Sequence, residues 1–428
     1  MVESNRSLWL HAFFLKSRVI AFYLLGILIL GFGCARQIRK PAEEVPVHPV
    51  PEIRVALSDN LDSATLLFKT PYRCKSEEAE YIIDESLGEF TVKFSGGRLV
   101  FDSPHRRLIF KDLHRIEFIP EEDGRFIWNS NTYRGQLTFV IDGGKAVAVN
   151  TLPLTQYLKG VVPFEIPSET RDYYPAVMAQ AVASRTYASY RIQYPASPLF
   201  DVYSDTRDQV YKGISENSPL GEQAVEETRG LVLVNDFQEL VETQYHSTCG
   251  GHVQVRGDYF PDRELPEASL ADSTETGFNC SGSPLYRWYQ SIDARSILGN
   301  LLQLNKISKP QYDEFITNGF DLEIEVKDRL VSGRVGSLSL QINQLKAELN
   351  EWEIRQALGS QDWPVLPSNL FFLKSSRSQT GKIYIIGAGF GHGRGMCQWG
   401  AIGLALKGKS FQEILRFYYP ALSLSKKY

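Results

Sequence analysis

The sequence predicts an α+β protein: a β-rich N-terminal region followed by a mixed α/β domain that carries an inserted subdomain. Three observations lead there. Apolar and polar residues alternate with a period of two through 53–150, the signature of half-buried strands. An alanine-rich segment at Tyr173–Tyr190 then reads as a strong helix. The chain has 428 residues, 43% hydrophobic and 22% charged, so it can fill a sizeable core, and its length suggests two or three structural units.

The first segment, 1–34, reads as a signal peptide or lipoprotein signal. Lys16 and Arg18 precede the uncharged run Val19–Gly33, VIAFYLLGILILGFG, which is short for a spanning helix of about 20 residues but suits a signal-peptide core. The run ends in Gly33-Cys34, which resembles a bacterial lipoprotein processing site and makes Cys34 the lipidation candidate. An uncleaved N-terminal anchor lengthened by Phe13, Phe14 and Leu15 is the competing reading. Both place the body of the protein outside the cytoplasmic membrane, facing the periplasm or cell wall, with the lipoprotein favoured.

Residues 35–52 form a Pro-rich tether containing Pro41, Pro46, Pro49 and Pro51, extended and semi-rigid. In 53–150, runs such as Ile53–Leu57, Phe90–Phe94 and Leu137–Ile141 alternate between turn signals at Ser95-Gly96-Gly97 and Asp142-Gly143-Gly144. No catalytic constellation lies there. From 151 to 428 the pattern is mixed, with an insertion at about 290–350 where helical and alternating segments follow one another. No fixed-period repeat is present.

Charge and cysteine content narrow the function. With 46 Lys+Arg against 50 Asp+Glu the net charge is −4, whereas a generic nucleic-acid binder carries a basic excess. The 24 Phe, 21 Tyr and 6 Trp suit sugar stacking or a β-rich core equally well. The five cysteines are too few for a disulfide framework in a chain of this length.

Four segments have residue types suited to chemistry. In Tyr157-Leu-Lys-Gly-Val-Val-Pro-Phe-Glu165-Ile-Pro167 a single carboxylate stands among apolar residues. Desolvation in that setting raises a carboxyl pKa, and a protonated carboxylic acid is what glycosidic cleavage requires. A loop glutamate reaching for the next helix is the structural alternative. On the Tyr173–Tyr190 helix, Gln180, Ser184 and Tyr187 share a face and Arg185 lies one step round. They form either a buried structural network or the floor of a polar cleft.

In Tyr245-His246-Ser-Thr-Cys249-Gly-Gly-His252, together with Cys280, the candidates His246, Cys249, His252 and Cys280 are zinc-ligand types at loose spacing. A Cys249–Cys280 disulfide and two free buried thiols are the other readings. In Gly387-Ala-Gly-Phe-Gly-His392-Gly-Arg394-Gly-Met-Cys397-Gln398-Trp-Gly400, glycine occupies every second position from 387 to 395. This is no nucleotide loop. Such glycines let a ligand strand or another element approach the backbone, and His392 and Gln398 are placed to line a cleft.

Taken together, these segments resemble stage II sporulation protein D and the related amidase-enhancer (SpoIID/LytB) proteins. The resemblance is carried by YLKGVVPFEIP, AQAVASRTYA, DVYSDTRDQVYKG (Asp201–Gly213), AVEETRGLVL (Ala224–Leu233), YHSTCGG with CSGSP, and GFGHGRGMCQWGA. They occur in order between about Leu152 and Pro420. Departures are Phe164 for a small residue, Ser184 for alanine, Arg394 for a small apolar residue and Cys397 for serine.

The resemblance implies a peptidoglycan lytic transglycosylase acting on denuded glycan strands. It cleaves between N-acetylmuramic acid and N-acetylglucosamine and leaves 1,6-anhydromuramic ends. The glutamate of the motif maps to Glu165 as the single acid and base, so the paired carboxylates of ordinary glycosidases are not needed. Gln180, Ser184, Arg185, Tyr187, His392 and Gln398 become glycan-cleft candidates. No cofactor is required, although a structural zinc at the histidine and cysteine cluster fits some relatives. The rival implied by the same resemblance is a non-catalytic, glycan-binding modulator of a cell-wall amidase. Expected partners are glycan strands, such an amidase, and the membrane through the N-terminal lipid or helix.

Overall fold

The computed structural model describes residues 49–76, 80–111, 114–215, 218–255, 268–275, 277–374 and 381–428. The signal at 1–34 with its Cys34, and all but the last few residues of the 35–52 tether, lie outside them. Among the described residues no helix is long and apolar enough to cross a membrane.

The chain is α+β, as the alternation and the alanine-rich helix predict. Two sheets, antiparallel except for one short parallel edge strand, make the N-terminal region. One has seven strands in the order Val202–Tyr203, Glu52–Ser58, Lys145–Pro153, Gln136–Asp142, Arg115–Pro120, Tyr72–Lys75 and Glu80–Ile83; the other has six. Alternate residues such as Ile53, Val55, Phe90, Val92, Leu137 and Phe139 point inward between them. Aromatic rings fill much of that interior: Phe101 meets Phe110 at 5.5 Å and Phe139 at 5.3 Å, both edge to face. Such geometry adds to plain area burial. These aromatics are therefore core, not a sugar-stacking surface.

Lys145–Pro153 breaks the alternation because it is buried on both faces. Ala146 and Ala148 face the main core, while Val147 and Val149 pack with Ala56 and Phe200 in a small cluster on the other side. Phe200 precedes Val202–Tyr203, which pairs in parallel with Glu52–Ser58. The chain after residue 150 thus supplies a strand to the N-terminal sheet. Tyr211 reinforces the join, lying 5.3 Å from Tyr133 and 5.0 Å from Tyr157 and donating to Asn150 Oδ1 at 2.8 Å.

The helix Tyr174–Gln193 carries Pro175 in its first turn and is buried along an unbroken stretch from Ala179 to Ala188. A helix without a polar face is a core helix. The helices Pro219–Glu227, Gln398–Leu406 and Phe411–Tyr418 and the strand Leu231–Val234 surround it.

A second core lies within 288–387. Leu322–Arg329, Val335–Ile342 and Leu345–Asn350 form one sheet, and Trp288–Asp293, Lys382–Gly387 and Phe371–Leu373 another. Ile297, Leu301, Leu338, Leu340, Ile354 and Ile385 are wholly buried among them. Asn350 caps the helix Glu351–Ala357 in a reciprocal arrangement with Glu353, satisfying amides that the first turn leaves free.

Candidate active site

Glu165 ends the one-turn helix Val162–Glu165, which Pro163 opens and which stops where Ile166 becomes extended. Its carboxylate meets three donors from three other parts of the chain. The Val210 amide donates to Oε1 at 2.7 Å, Gln398 Nε2 donates to Oε2 at 3.3 Å, and the Tyr245 hydroxyl bonds the same carboxyl. Removal from water raises the Glu165 pKa above the ordinary carboxylate range, and the three hydrogen bonds oppose that rise. Phe164 beside it is exposed, with Lys212 Nζ 5.7 Å from its ring centre.

A chain of polar groups backs the Tyr245 hydroxyl. Tyr157 Oη donates to Gln209 Oε1 at 3.1 Å, and Gln209 Nε2 donates to Tyr245 Oη at 2.8 Å. Gln180 Nε2 donates to Ser184 Oγ at 3.0 Å, and Ser184 in turn bonds Tyr245. Gln180 and Ser184 are fully buried. They stand behind Tyr245 as a structural network, the first of the two readings their helix face allowed. Asp208, next to Gln209, accepts from Tyr187 Oη at 2.5 Å and the Tyr203 amide at 2.8 Å and pairs with Arg191 at 3.2 Å.

Three of the predicted cleft residues therefore sit elsewhere. Tyr187 is committed to Asp208. Arg185 is wholly buried away from the acid, donating to Ala181 O, Thr228 Oγ1, Leu231 O and Val225 O at 2.8–3.5 Å; it ties the long helix to the segment 225–231. His392 is exposed at the rim with both ring nitrogens engaged: Nε2 donates to Tyr245 O at 3.0 Å and Nδ1 accepts from the Arg394 amide at 3.1 Å. It pins the glycine-rich segment to the strand bearing Tyr245. Gln398 is the cleft candidate that touches Glu165.

The glycine run admits protein rather than ligand. A Cβ on Gly395 would lie 1.9 Å from Gln244 O, and one on Gly393 would meet the Arg334 guanidinium at 2.0 Å. Arg394, the added charge, pairs with Glu351 of the second core through Nη2 at 2.9 and 3.1 Å.

The zinc candidates divide. Cys249 and Cys280 come together, with Sγ atoms 3.5 Å apart and not bonded. His252 is exposed on a strand. His246 is buried, with Nδ1 bound to Arg394 O at 3.0 Å and Nε2 unpartnered. Burial, His392 and Arg334 push its pKa well below the ordinary histidine value. Neither histidine joins the thiols; Cys397 and Asp272 do, and all four donor atoms lie within 4.8 Å of one another. Burial raises the Asp272 pKa to about 6.

Reasoning from sequence missed Tyr245 and Val210 as partners of Glu165, and Gln209 as the group behind Tyr245. The signal was present, because Gln209 and Val210 fall in the DVYSDTRDQVYKG stretch and Tyr245 begins YHSTCGG. Asp272 had no signal, standing outside every matched stretch.

Comparison with known proteins bears on this arrangement. Residues 142–235 match the family described as "Stage II sporulation protein", and 263–395 match a domain of unknown function, DUF8618. An uncharacterized protein of Brachyspira hyodysenteriae is 29% identical over 87% of this chain and 92% of its own length. The amidase enhancer of Bacillus subtilis is 27% identical over 63% of this chain but only 40% of its own length. Stage II sporulation protein D of the same organism is 26% identical over 65% of this chain and 76% of its own.

Proposed function

We propose that this chain, which belongs to the stage II sporulation protein D and amidase-enhancer family, acts on the cell wall as a peptidoglycan lytic transglycosylase with Glu165 as its single acid and base. The observation that carries this reading is a half-buried carboxyl with a raised pKa, held by the Val210 amide, Gln398 and Tyr245. Protonated Glu165 donates to the oxygen between N-acetylmuramic acid and N-acetylglucosamine as the bond breaks. The resulting carboxylate then takes the proton of the muramic 6-hydroxyl while that oxygen closes onto C1. The three donors stabilise the transient anion without removing the acid's high pKa. Asp208 is no partner, since its oxygens are already shared by Tyr187, Tyr203 and Arg191. The export pattern at 1–34 supports a place at the outer side of a membrane, held by lipid on Cys34 or by an N-terminal helix.

The test is to incubate the purified protein and its Glu165→Gln variant with denuded glycan strands and analyse the products by mass spectrometry. Anhydromuramic ends from the wild type and none from the variant are expected. Reducing ends from the wild type would instead identify a hydrolase. The relative named amidase enhancer favours a second reading, a non-catalytic modulator of a wall amidase. Strand binding without cleavage, with a purified amidase accelerated by wild type and variant alike, would establish that one.

A further inference from the structure

We infer that Arg334, at the tip of a hairpin in the second core, is a positioning residue for Glu165, because it locks together the two segments that carry Tyr245 and Gln398. The inference rests on the reading of Glu165 as the acid and gives the second core a part in that site. The strands Leu322–Arg329 and Val335–Ile342 are joined by a tight turn. In it the Leu330 amide donates to Arg334 O and the Gly333 amide to Leu330 O, both at 2.8 Å. Connections of this kind normally run over a protein's surface. Here Val331 is exposed, but Ser332 and Arg334 are buried.

The Arg334 guanidinium donates through Nη2 to Cys249 O at 2.7 Å and through Nη1 to His252 O at 2.9 Å. It also lies against Gly393, where a Cβ would stand 2.0 Å from its Cζ. A buried cation persists only where hydrogen bonds hold it, and a planar fork that serves two acceptors at once is what arginine offers and lysine does not. Between the two acceptors lie Gly250 and Gly251, at φ of +77° and +125°. The facing run repeats glycine at 389, 391, 393 and 395. Backbone of this composition has little stiffness of its own, so its position has to be set from outside.

The second core sets it. Trp288 Nε1 donates to Gly389 O at 2.8 Å, Ser368 Oγ to Ala388 O at 2.6 Å, and the Gly391 amide to Pro367 O at 2.9 Å. The Arg394–Glu351 pair adds a fourth link, and Arg334 is the one that touches both segments. The segments are knitted beyond it: the Gln254 amide donates to Gly393 O at 2.8 Å, the Met396 amide to Gln244 O at 3.2 Å, and the Trp399 amide to Ser247 O at 3.0 Å. Glu165 depends on this register. Gln398 Nε2 stands 3.3 Å from Glu165 Oε2, near the outer limit of a hydrogen bond, so a small displacement of either segment removes it.

Donors to a carboxylate hold its pKa down and stabilise the anion left when the acid gives up its proton. Loss of Arg334 therefore slows cleavage yet moves the alkaline limit of activity upward. Among the described residues no charged side chain acts on Glu165. The tyrosines that feel its charge, Tyr157 and Tyr245, are held neutral by burial, so neither ionises where Glu165 does.

The test compares Arg334→Met and Arg334→Lys with Asn300→Ala in the full chain. Asn300 also serves two carbonyls, Ala357 O at 3.1 Å and Gly359 O at 3.0 Å, but inside the second core, so its loss reports a merely structural defect. Glutamate labelled with carbon-13 at the carboxyl gives the Glu165 titration directly by NMR, the signal identified by its absence from Glu165→Gln. We expect a midpoint about one pH unit higher in Arg334→Met, as for the loss of one hydrogen bond to a charged group. A smaller rise is expected in Arg334→Lys and none in Asn300→Ala. In strand cleavage, kcat of Arg334→Met should fall about tenfold with KM unchanged and the alkaline limit moved up alongside. If Arg334→Met fails to fold, Arg334→Lys decides. A Glu165 midpoint unchanged in the folded Arg334 variants, or moved equally in Asn300→Ala, would overturn the assignment. A wild type that cleaves no strands overturns the catalytic reading instead, and the NMR midpoints still decide whether Arg334 positions the groups around Glu165.

Discussion

Two polar clusters share the segments 245–249 and 396–398 yet are built in opposite ways. Around Glu165, donors from Val210, Tyr245 and Gln398 converge on one carboxylate that remains half-buried beside exposed Phe164. Cys249 and Cys397 of these segments turn toward Asp272 and Cys280, with none of the four side chains exposed. An acid that must reach a substrate needs an opening, and one charge-changing group with fixed donors suits it. A set of donors that closes on itself is suited to holding the fold. The two are joined by the parallel pairing of Tyr245–His246 with Met396–Cys397.

The strongest way to break this comparison is Glu165→Gln. If the open cluster is the reaction centre, kcat for strand cleavage falls by roughly 10²–10⁴, the range for loss of a general acid, while circular dichroism and the melting temperature show an intact fold. A smaller loss of activity would make Glu165 a structural group like the thiols. Arg185→Met tests where the site ends. The substitution strands the carbonyls of Val225 and Leu231 that Arg185 now serves, and we expect a stability loss of about 2–3 kcal/mol in denaturant titration with KM unchanged. A raised KM at unchanged stability would return Arg185 to the cleft.

Gly400→Ala probes the closed cluster. The added Cβ would stand 2.0 Å from Tyr418 Oη and 2.5 Å from Asp272 Oδ2. A cost of about 1–3 kcal/mol is expected, read as a lowered melting temperature. Phe164→Ala sharpens the picture of the opening. Loss of one exposed ring that can stack on a sugar is worth about 0.5–1.5 kcal/mol, a rise in KM of about two- to tenfold without loss of stability.

The smallest effect concerns pH. Burial raises the Glu165 pKa, so its carboxyl favours the folded state fully below the unfolded pKa, and that contribution is lost as pH rises through the folded value. Relative to wild type, Glu165→Gln should therefore gain stability at neutral pH, with the gain shrinking on acidification. A gain that grows toward low pH would reverse the sign and the assignment.

Much of this arrangement is legible in the order of residues. Glu165 stands out because it is the one charge between Val161 and Pro167, and apolar neighbours in sequence on a short turn become apolar neighbours in space. The long buried helix announces itself through five alanines between Ala176 and Ala188, and the strands through alternation. Arg185 and His392 show the opposite. One helical step separates Arg185 from Ser184, yet that step points it at the 225–231 segment instead of Tyr245. Nothing local reveals which neighbour a side chain will meet.

The cysteines make the same point about ligands. His246, Cys249 and His252 are close in sequence, but a strand sends His252 to solvent and Arg394 O holds His246. Cys397 arrives from 148 residues away as an acceptor of the Cys249 amide. Legible in the order of residues are properties set over a few positions: strand and helix periods, the burial of the long helix, and an acid in an apolar turn. Packing alone sets which distant groups face that acid and which face the thiols. Periodicity follows from backbone geometry repeated at each residue, whereas those pairings depend on how sheets and helices pack, a long-range outcome that no short window of residues contains.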